Sequence, residues 1–408
     1  MIYRARILVL DADTFIPDGA LRIRDGRVAA AGPWNPRRRP GGPVRDLGDV
    51  AILPGLVNAH THLELSDLAG RLRSRRPFDV WIQGLRDEIR TWSRIDFRAS
   101  LHRGIRRSLA AGTTAVGDIC SRTYLLPDLF RTPLCGVVYA EMLHPNPAHA
   151  AAGLAEARDL LRRHARSRGS LRLGLSPHAP YTVSTALFRG LARLTLARRL
   201  PLAIHAAESK QERRFVRRGD GPLADLLRRY GRKLPFARPP GTTPVAYLAR
   251  LGLLRPGTTL IHANYLTPDD VGRIARSGAA VVFCPGSHAF FGHDPHPVRR
   301  LLKAGVPVAL GTDSLASNAE LSIPREMRLL IAGYGIPPRD AFRMATEHGA
   351  RALGMAGRMG VLRPGARADF LAVEVPGGLG KGEPWEIFGQ EFTIQKSWIA
   401  GHGLQLTH

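Results

Sequence analysis

Short apolar runs recur through the middle of the chain, and each is followed by a longer stretch with apolar residues at helical spacing. The runs cover residues 53–59, 113–119, 134–142, 171–176, 202–205, 259–262, 279–284 and 307–310. The stretches 101–111, 153–168, 185–200, 268–277 and 298–304 carry the helical pattern, and so do 324–330 and 339–353 near the end. Strand-then-helix alternation repeated eight times predicts an α/β fold, a (β/α)8 TIM-like barrel of parallel strands. An open doubly wound sheet is the alternative. It would carry a glycine-rich nucleotide loop after its first strand, and none is present.

The two ends of the chain read differently. Residues 6–10 form one expected strand. Residues 20–24 alternate apolar and polar, and Asp25-Gly26 turns them into 27–31, a hairpin signal. Residues 32–43 are a loop rich in proline, glycine and arginine. Turn and strand chemistry returns at 360–365, 368–373 and 393–399. The ends are therefore expected to pair into one small β-sandwich domain, residues 1–53 plus 357–408, beside a barrel spanning 54–356.

Polar residues that can do chemistry close several of the apolar runs, which places them at the barrel mouth where active sites lie. His60 and His62 stand at i, i+2 in Asn58-Ala59-His60-Thr61-His62, and alternate residues of a strand point the same way. A lone histidine is more often a satisfied core residue than a ligand; a pair at this spacing on a strand end reaches one ion. His205 closes the fifth run, and Asp313 follows the eighth in Thr312-Asp313-Ser314. Three imidazoles and one carboxylate around an open position describe a catalytic metal site, with His60, His62, His205 and Asp313 as ligands. The expected cofactor is one divalent ion, first of all Zn2+, with Fe2+ or Mn2+ accepted by the same donors. No lysine lies near 171–178 to bridge a second ion. Asp313 is expected to bind through one oxygen and take a proton with the other. Glu208 is read as a proton shuttle, against the plainer reading of a surface glutamate. His262, closing the sixth run, is read as polarising the attacking water, or else as a histidine supporting a ligand.

Composition changes this picture little. Among 408 residues, 44% are hydrophobic and 23% charged, ordinary for a globular protein. The formal charge of +25 is unusual, and it is carried by arginine, since only five residues are lysine. Those charges are scattered rather than gathered on one arm, so an arginine-rich bias on solvated surfaces explains them better than nucleic-acid binding. Three cysteines without CxxC spacing do not make a disulfide framework. The first residues lack the apolar core of a signal peptide, and no apolar run approaches a membrane span. The expected location is cytoplasmic. The expected partner is a small-molecule substrate, with no nucleic acid and no membrane; a homodimer is the assembly allowed for.

Taken together, these motifs resemble the amidohydrolase superfamily, in its branch of cytosine deaminase-like and triazine-hydrolase proteins. The resemblance covers essentially the whole chain. It is carried by the segment Pro54 to His62, by Ser176-Pro177-His178-Ala179-Pro180-Tyr181, His205-Ala206-Ala207-Glu208-Ser209, Ile261-His262-Ala263-Asn264, Cys284-Pro285-Gly286-Ser287 and Gly311-Thr312-Asp313-Ser314. The finer resemblance is to the aminodeoxyfutalosine deaminases of menaquinone biosynthesis, through His62-Leu63-Glu64, Val137-Val138-Tyr139, Glu208-Ser209 followed by Glu212-Arg213, and the segment Asp313 to Asn318.

The resemblance implies a hydrolytic deaminase of a 6-aminopurine nucleoside. Activated water attacks C6, Glu208 protonates N1, Asp313 takes the water's proton, and ammonia leaves. It implies His178 as a substrate contact; Glu64, Glu141, Ser317 and His288 are further candidates to face the pocket. Deamination of adenosylhomocysteine, adenosine or guanine, and displacement of chloride from a triazine, share much of the pattern. The segment Ser287-His288-Ala289-Phe290-Phe291-Gly292-His293 departs from the Ser-Asn that many relatives carry there, which leaves the exact substrate open.

Overall fold

The computed structural model describes residues 1–37, 41–165, 169–375 and 384–404. Eight strands pair in chain order, every neighbour parallel: Leu56–Thr61, Thr113–Cys120, Cys135–Met142, Leu171–Pro177, Leu202–Ala206, Thr258–His262, Ala280–Phe283 and Val308–Leu310. Almost every residue of these strands is buried. That is why they read as apolar runs rather than as alternation: helices cover the outside of a parallel barrel and side chains fill its inside. The eighth strand meets the first through an isolated parallel bridge between Thr61 and Asp313. The main-chain N–H groups of Thr312 and Asp313 both donate to the carbonyl of His60 there, at 3.0 and 3.1 Å. The barrel is closed, and its seam runs through the predicted metal ligands.

Local signals start the covering helices. Ser93 and Asp96 form a capping box at the head of Arg94–Ala110, and Thr267 and Asp270 form another at Pro268–Ser277, whose bounds match the sequence pattern. The region 339–353, expected as one helix, is two, Pro338–Ala345 and Glu347–Ala352. The break falls at Thr346, whose hydroxyl donates to the carbonyl of Phe342. The helix expected over 153–168 spans Ala150–Arg163, and residues 166–168 lie outside the described ones. Strand Arg27–Pro33 runs into the expected loop 32–43, of which 38–40 also lie outside the described residues.

The run 53–59 is divided between two sheets. Val50–Pro54 belongs to the terminal sheet and Leu56–Thr61 to the barrel. Both strands are buried, so hydrophobicity hides the break. Gly55 marks it: a Cβ there would stand 2.2 Å from Thr114 Oγ1, so only glycine fits where the chain crosses over.

Both ends of the chain build the second sheet, in the order His402–Gly403, Ile394–Ile399, Phe370–Glu374, Val50–Pro54, Ile2–Asp11, Thr14–Arg24, Arg27–Pro33, with Val44–Asp46 branching from Ile2–Asp11. It folds over its own core. An antiparallel bridge between Arg27 and Arg367 brings its far edge back. Tyr3, Phe370 and Trp398 pack inside, Phe370 and Trp398 stacking at 4.5 Å between ring centres. Among the described residues, no helix is long and apolar enough to cross a membrane.

Candidate metal centre and its cavity

The strand ends bring the predicted ligands together. Ligand atoms of His60, His62 and His205 lie within 4.8 Å of one another, and so do those of His60, His262 and Asp313. Asp313 Oδ1 stands 3.5 Å from His60 Nε2 and 3.7 Å from His62 Nε2. Two donors bonded to one zinc at ~2.0–2.1 Å stand roughly 3–4 Å apart, so the spacing suits a shared ion. The hydrogen-bond inventory tests this independently. His60 is fully buried, yet neither of its ring nitrogens has a partner, and His62 Nδ1 is also unpaired. A buried imidazole with no partner on either side is costly, and a divalent ion would satisfy one of its two nitrogens. His205 directs Nδ1 to the carbonyl of His178 at 3.3 Å, which leaves Nε2 for the ion. The residues fit one divalent metal.

The local backbone is held in an uncommon conformation to achieve this. His262, Ala263, Ala207 and Asp313 all have positive φ, at 69°, 53°, 53° and 59°. Each such residue costs on the order of 1–2 kcal/mol, and such residues cluster where function requires them. Gly311 makes the close approach possible, since a Cβ there would come within 2.9 Å of both Cβ and the carbonyl oxygen of His60.

Burial sets the charge states. Without an ion, desolvation lowers the pKa of His62 to about 4, with the neighbouring His60 adding to it. Burial likewise holds His205 and His262 well below the ordinary histidine value. Neutral imidazoles are the form that binds a metal. Asp313 goes against its burial: desolvation pushes it up, but the facing His60, 3.5 Å away, and the other histidines around it bring it well below the usual carboxylate range. Glu208 moves the other way. Burial first, then the charges of Asp313 and Glu212, raise it well above the ordinary value. Two carboxyl groups near one centre are thus pushed in opposite directions, Asp313 down and Glu208 up, which suits a base and an acid.

A cavity of about 740 Å3 opens onto the centre. Its walls include His62, His205, His262 and Asp313, and also Glu208, His178, Glu141 and Glu64. Glu208 Oε1 stands 3.5 Å from His262 Nε2. Glu212 fixes the loop behind it, accepting the N–H groups of Ala207 and Glu208 at 3.1 and 2.8 Å. His178 Nδ1 pairs with Thr182 Oγ1 at 2.7 Å, and its Nε2 lies 3.9 Å from Glu141 Oε1. Glu64 spends its oxygens on the N–H groups of Ser121 and Arg122 and the thiol of Cys120.

Two named residues lie elsewhere. Ser317 is not in the wall; its hydroxyl donates to Asp313 Oδ2 at 2.8 Å, beside an equal bond from Ser287. The oxygen expected to receive a proton is therefore already held by two hydroxyls. His288 also stands off the cavity, its ring nitrogens engaged with the carbonyl of Asp294 and the hydroxyl of Tyr334. A second cavity of about 460 Å3 behind helix Lys210–Arg218 contains none of the metal-site residues.

Sequence reasoning gave Ser287 no role of its own and missed Ser121 and the helix Phe78–Ile89, which contributes Phe78, Trp81, Ile82 and Leu85 to the cavity wall. The signal was available: apolar residues at 78, 81, 82, 85 and 89 follow helical spacing. Of this helix only Phe78 is buried, because its apolar stripe faces the cavity.

The model of the amidohydrolase family matches residues 51–403. The chain is 37% identical over 358 residues to an aminodeoxyfutalosine deaminase of Deinococcus radiodurans, covering 86% of this chain and 84% of that one. It is 31% identical over 398 residues to a 5-methylthioadenosine/S-adenosylhomocysteine deaminase of Syntrophobacter fumaroxidans, with 92% and 84% covered. Among solved structures, an adenosine deaminase from Xanthomonas campestris with bound zinc superposes with a TM-score of 0.83 at 26% identity, over 98% of this chain and 92% of that one. With the barrel, the histidines and Asp313 converging at its mouth, and a match over most of its length, the chain belongs to the amidohydrolase family.

Proposed function

We propose that this chain is a zinc-dependent deaminase of 6-aminopurine nucleosides, with aminodeoxyfutalosine as its first candidate substrate and a place in menaquinone biosynthesis. The observation that carries the reading is the placement of two buried carboxyl groups on one cavity wall beside the centre: Glu208, 3.5 Å from His262, and Asp313, facing His60 and His62. The similarity to the Deinococcus radiodurans deaminase supports the choice of substrate.

His60, His62, His205 and Asp313 would hold the ion. When bound, it supplies a water whose pKa falls towards ~7. The chain's own groups supply the rest. Glu208 carries a proton into the cavity and delivers it to the ring nitrogen beside the reacting carbon. His262, 3.5 Å from Glu208, is placed to hold the attacking water by a hydrogen bond. Asp313 takes that water's proton, its carboxylate held in place by Ser287 and Ser317 on Oδ2 and by the Ser314 N–H on Oδ1. His178 offers Nε2 to the purine, its other nitrogen being fixed by Thr182. Addition of water across the C6–N1 bond and loss of ammonia leave a 6-oxopurine. Three buried free cysteines suit the reducing cytoplasm.

A second reading is a deaminase of other 5′-substituted adenosines, favoured by the relatives named for methylthioadenosine, adenosylhomocysteine and 5′-deoxyadenosine. Ammonia release by zinc-loaded protein across adenine, guanine, cytosine, their nucleosides and 5′-substituted adenosines tests both. Turnover is expected on the 5′-substituted adenosines; turnover confined to guanine or cytosine would refute the proposal.

A further inference from the structure

The second cavity, of about 460 Å3, is built on helix Lys210–Arg218 and shares no residue with the catalytic cavity. That helix has two faces. Glu212, Phe215 and Val216 are buried in the protein, and Glu212 accepts the N–H groups of Ala207 and Glu208. Lys210, Arg213, Arg214, Arg217 and Arg218 fall at i, i+3, i+4, i+7 and i+8, so they share the other face. They form a row about 12 Å long at 1.5 Å per residue, and all five line the cavity. Residues 241–243 and Thr267 make the opposite wall. Thr243 Oγ1 and Thr267 Oγ1 donate to the two oxygens of the buried Asp270, at 2.6 and 2.9 Å, which fixes that wall.

No acid lines this space. Two acids pair with members of the row from outside the lining: Asp294 with Lys210 and Asp220 with Arg214, each at 2.8 Å. Among the described residues, the guanidinium groups of Arg213, Arg217 and Arg218 make no hydrogen bond and no ion pair. Like charges four residues apart destabilise a helix, and this short one carries three such pairs, 210–214, 213–217 and 214–218. A solvated arginine-rich face is the plainer reading. It accounts for an exposed row but not for the second wall, which encloses the space in front of the row. Walls of low dielectric around charges of one sign concentrate their field and draw in an anion.

The row also selects the kind of anion. One phosphate group carries roughly −2 near neutral pH, less than the three uncompensated guanidinium groups. It is also shorter than the row. A chain of two or three phosphate groups matches both the charge and the length, and arginine forks bind phosphate oxygens in pairs. We propose that this cavity is a second binding site, for a linear di- or triphosphate, either free or carried by a nucleotide. The site stands independently of the reaction assigned to the metal centre.

Calorimetric titration of the zinc-loaded chain with phosphate, pyrophosphate, tripolyphosphate and uridine triphosphate tests this. Uridine triphosphate carries the phosphate chain without the 6-aminopurine that the metal centre would take. Tripolyphosphate is expected to bind about tenfold or more tightly than phosphate, the gain that one added charge-assisted contact supplies. Arg213→Gln combined with Arg217→Gln should weaken tripolyphosphate by about tenfold or more, with an unchanged circular dichroism spectrum. A second pair, Arg217→Gln with Arg218→Gln, alters exposed residues only and should act in the same direction. Arg90→Gln, at the mouth of the catalytic cavity, should change nothing. Extraction of zinc by the phosphate chain would give the same heat in every variant, so a loss confined to the helix variants locates the site. Equal binding of uridine triphosphate and tripolyphosphate makes the phosphate chain the whole ligand; tighter binding of the nucleotide makes the ligand a nucleotide. Equal affinity for phosphate and tripolyphosphate, or tripolyphosphate binding that both helix pairs leave intact, overturns the proposal.

Discussion

His60 holds Asp313 in two ways: its carbonyl accepts the Asp313 N–H at 3.1 Å, and its Nε2 faces Asp313 Oδ1 at 3.5 Å. The first contact closes the barrel and the second belongs to the candidate metal site. Closing the fold and assembling the centre are thus one event, and the residues at that seam serve both.

Asn58 is the side chain that ties this seam. Its Nδ2 donates to Thr312 Oγ1 at 2.8 Å, and its Oδ1 accepts the Thr312 N–H at 3.1 Å. Asn58→Ala removes two buried hydrogen bonds at Thr312, whose N–H keeps the His60 carbonyl and whose hydroxyl keeps the Asp313 carbonyl. The expected cost is about 1–3 kcal/mol in denaturant unfolding, together with weaker metal retention. An unchanged midpoint would show that the seam is held by its main chain alone.

Asp313→Asn and Glu208→Gln keep shape while removing the ionised base and the protonated acid. Both should fold nearly normally by circular dichroism and lose activity by about 10²–10⁴-fold or beyond detection. Retained ammonia release in either variant would show its role to be misassigned.

Ser287 and Ser317 orient Asp313 through Oδ2, each at 2.8 Å. Ser287→Ala and Ser317→Ala should each lower zinc affinity or kcat roughly 10- to 100-fold, the range found for groups that orient metal ligands. Metal analysis and steady-state kinetics on the same samples decide which of the two quantities changes.

Removing the metal should abolish turnover, and zinc should restore it. Because the ion would bind the folded chain and take one ring nitrogen from each of His60 and His62, zinc should also stabilise the fold, by about 2.7 kcal/mol at one hundred times its dissociation constant. Thermal melts of chelated protein with and without added zinc measure this. Identical melts would count against a bound ion.

Glu326 is buried behind the seam, accepting the N–H of Gly286 at 2.7 Å and the Asn318 amide at 2.8 Å. Burial raises its pKa to about 7, despite those bonds. The folded state therefore holds a proton that the unfolded chain loses near 4.5. Between those values the native state binds more protons, so this group's contribution to stability falls as pH rises from about 4.5 to 7, by on the order of 3 kcal/mol. Glu326→Gln should remove that slope relative to the unaltered chain. Parallel slopes in urea unfolding across this range would contradict the assignment.

The barrel was legible because its strands are buried on both faces, and each run of apolar residues announced one. His60 and His62 were legible for a similar reason: a two-residue period on a strand end fixes their common direction without any knowledge of the rest. What misled was burial that ignores sheet boundaries, as at Gly55, where one apolar run serves two sheets. The helix Phe78–Ile89 was overlooked because a half-exposed apolar stripe beside an arginine-rich stretch looks like loop.

Chain order alone, through periodicity and spacing, determined the strand–helix alternation, the two β-forming ends and which residue types could bind a metal. Only the closed barrel decided which atoms those residues use. Ser287 reaches Asp313 across the gap between the seventh and eighth strands, beside Ser317 from the loop that follows Asp313, and His288 turns to Tyr334 instead of the cavity. Hydrogen bonds between residues far apart in sequence depend on where strand ends meet, and barrel closure, not local pattern, sets that meeting point.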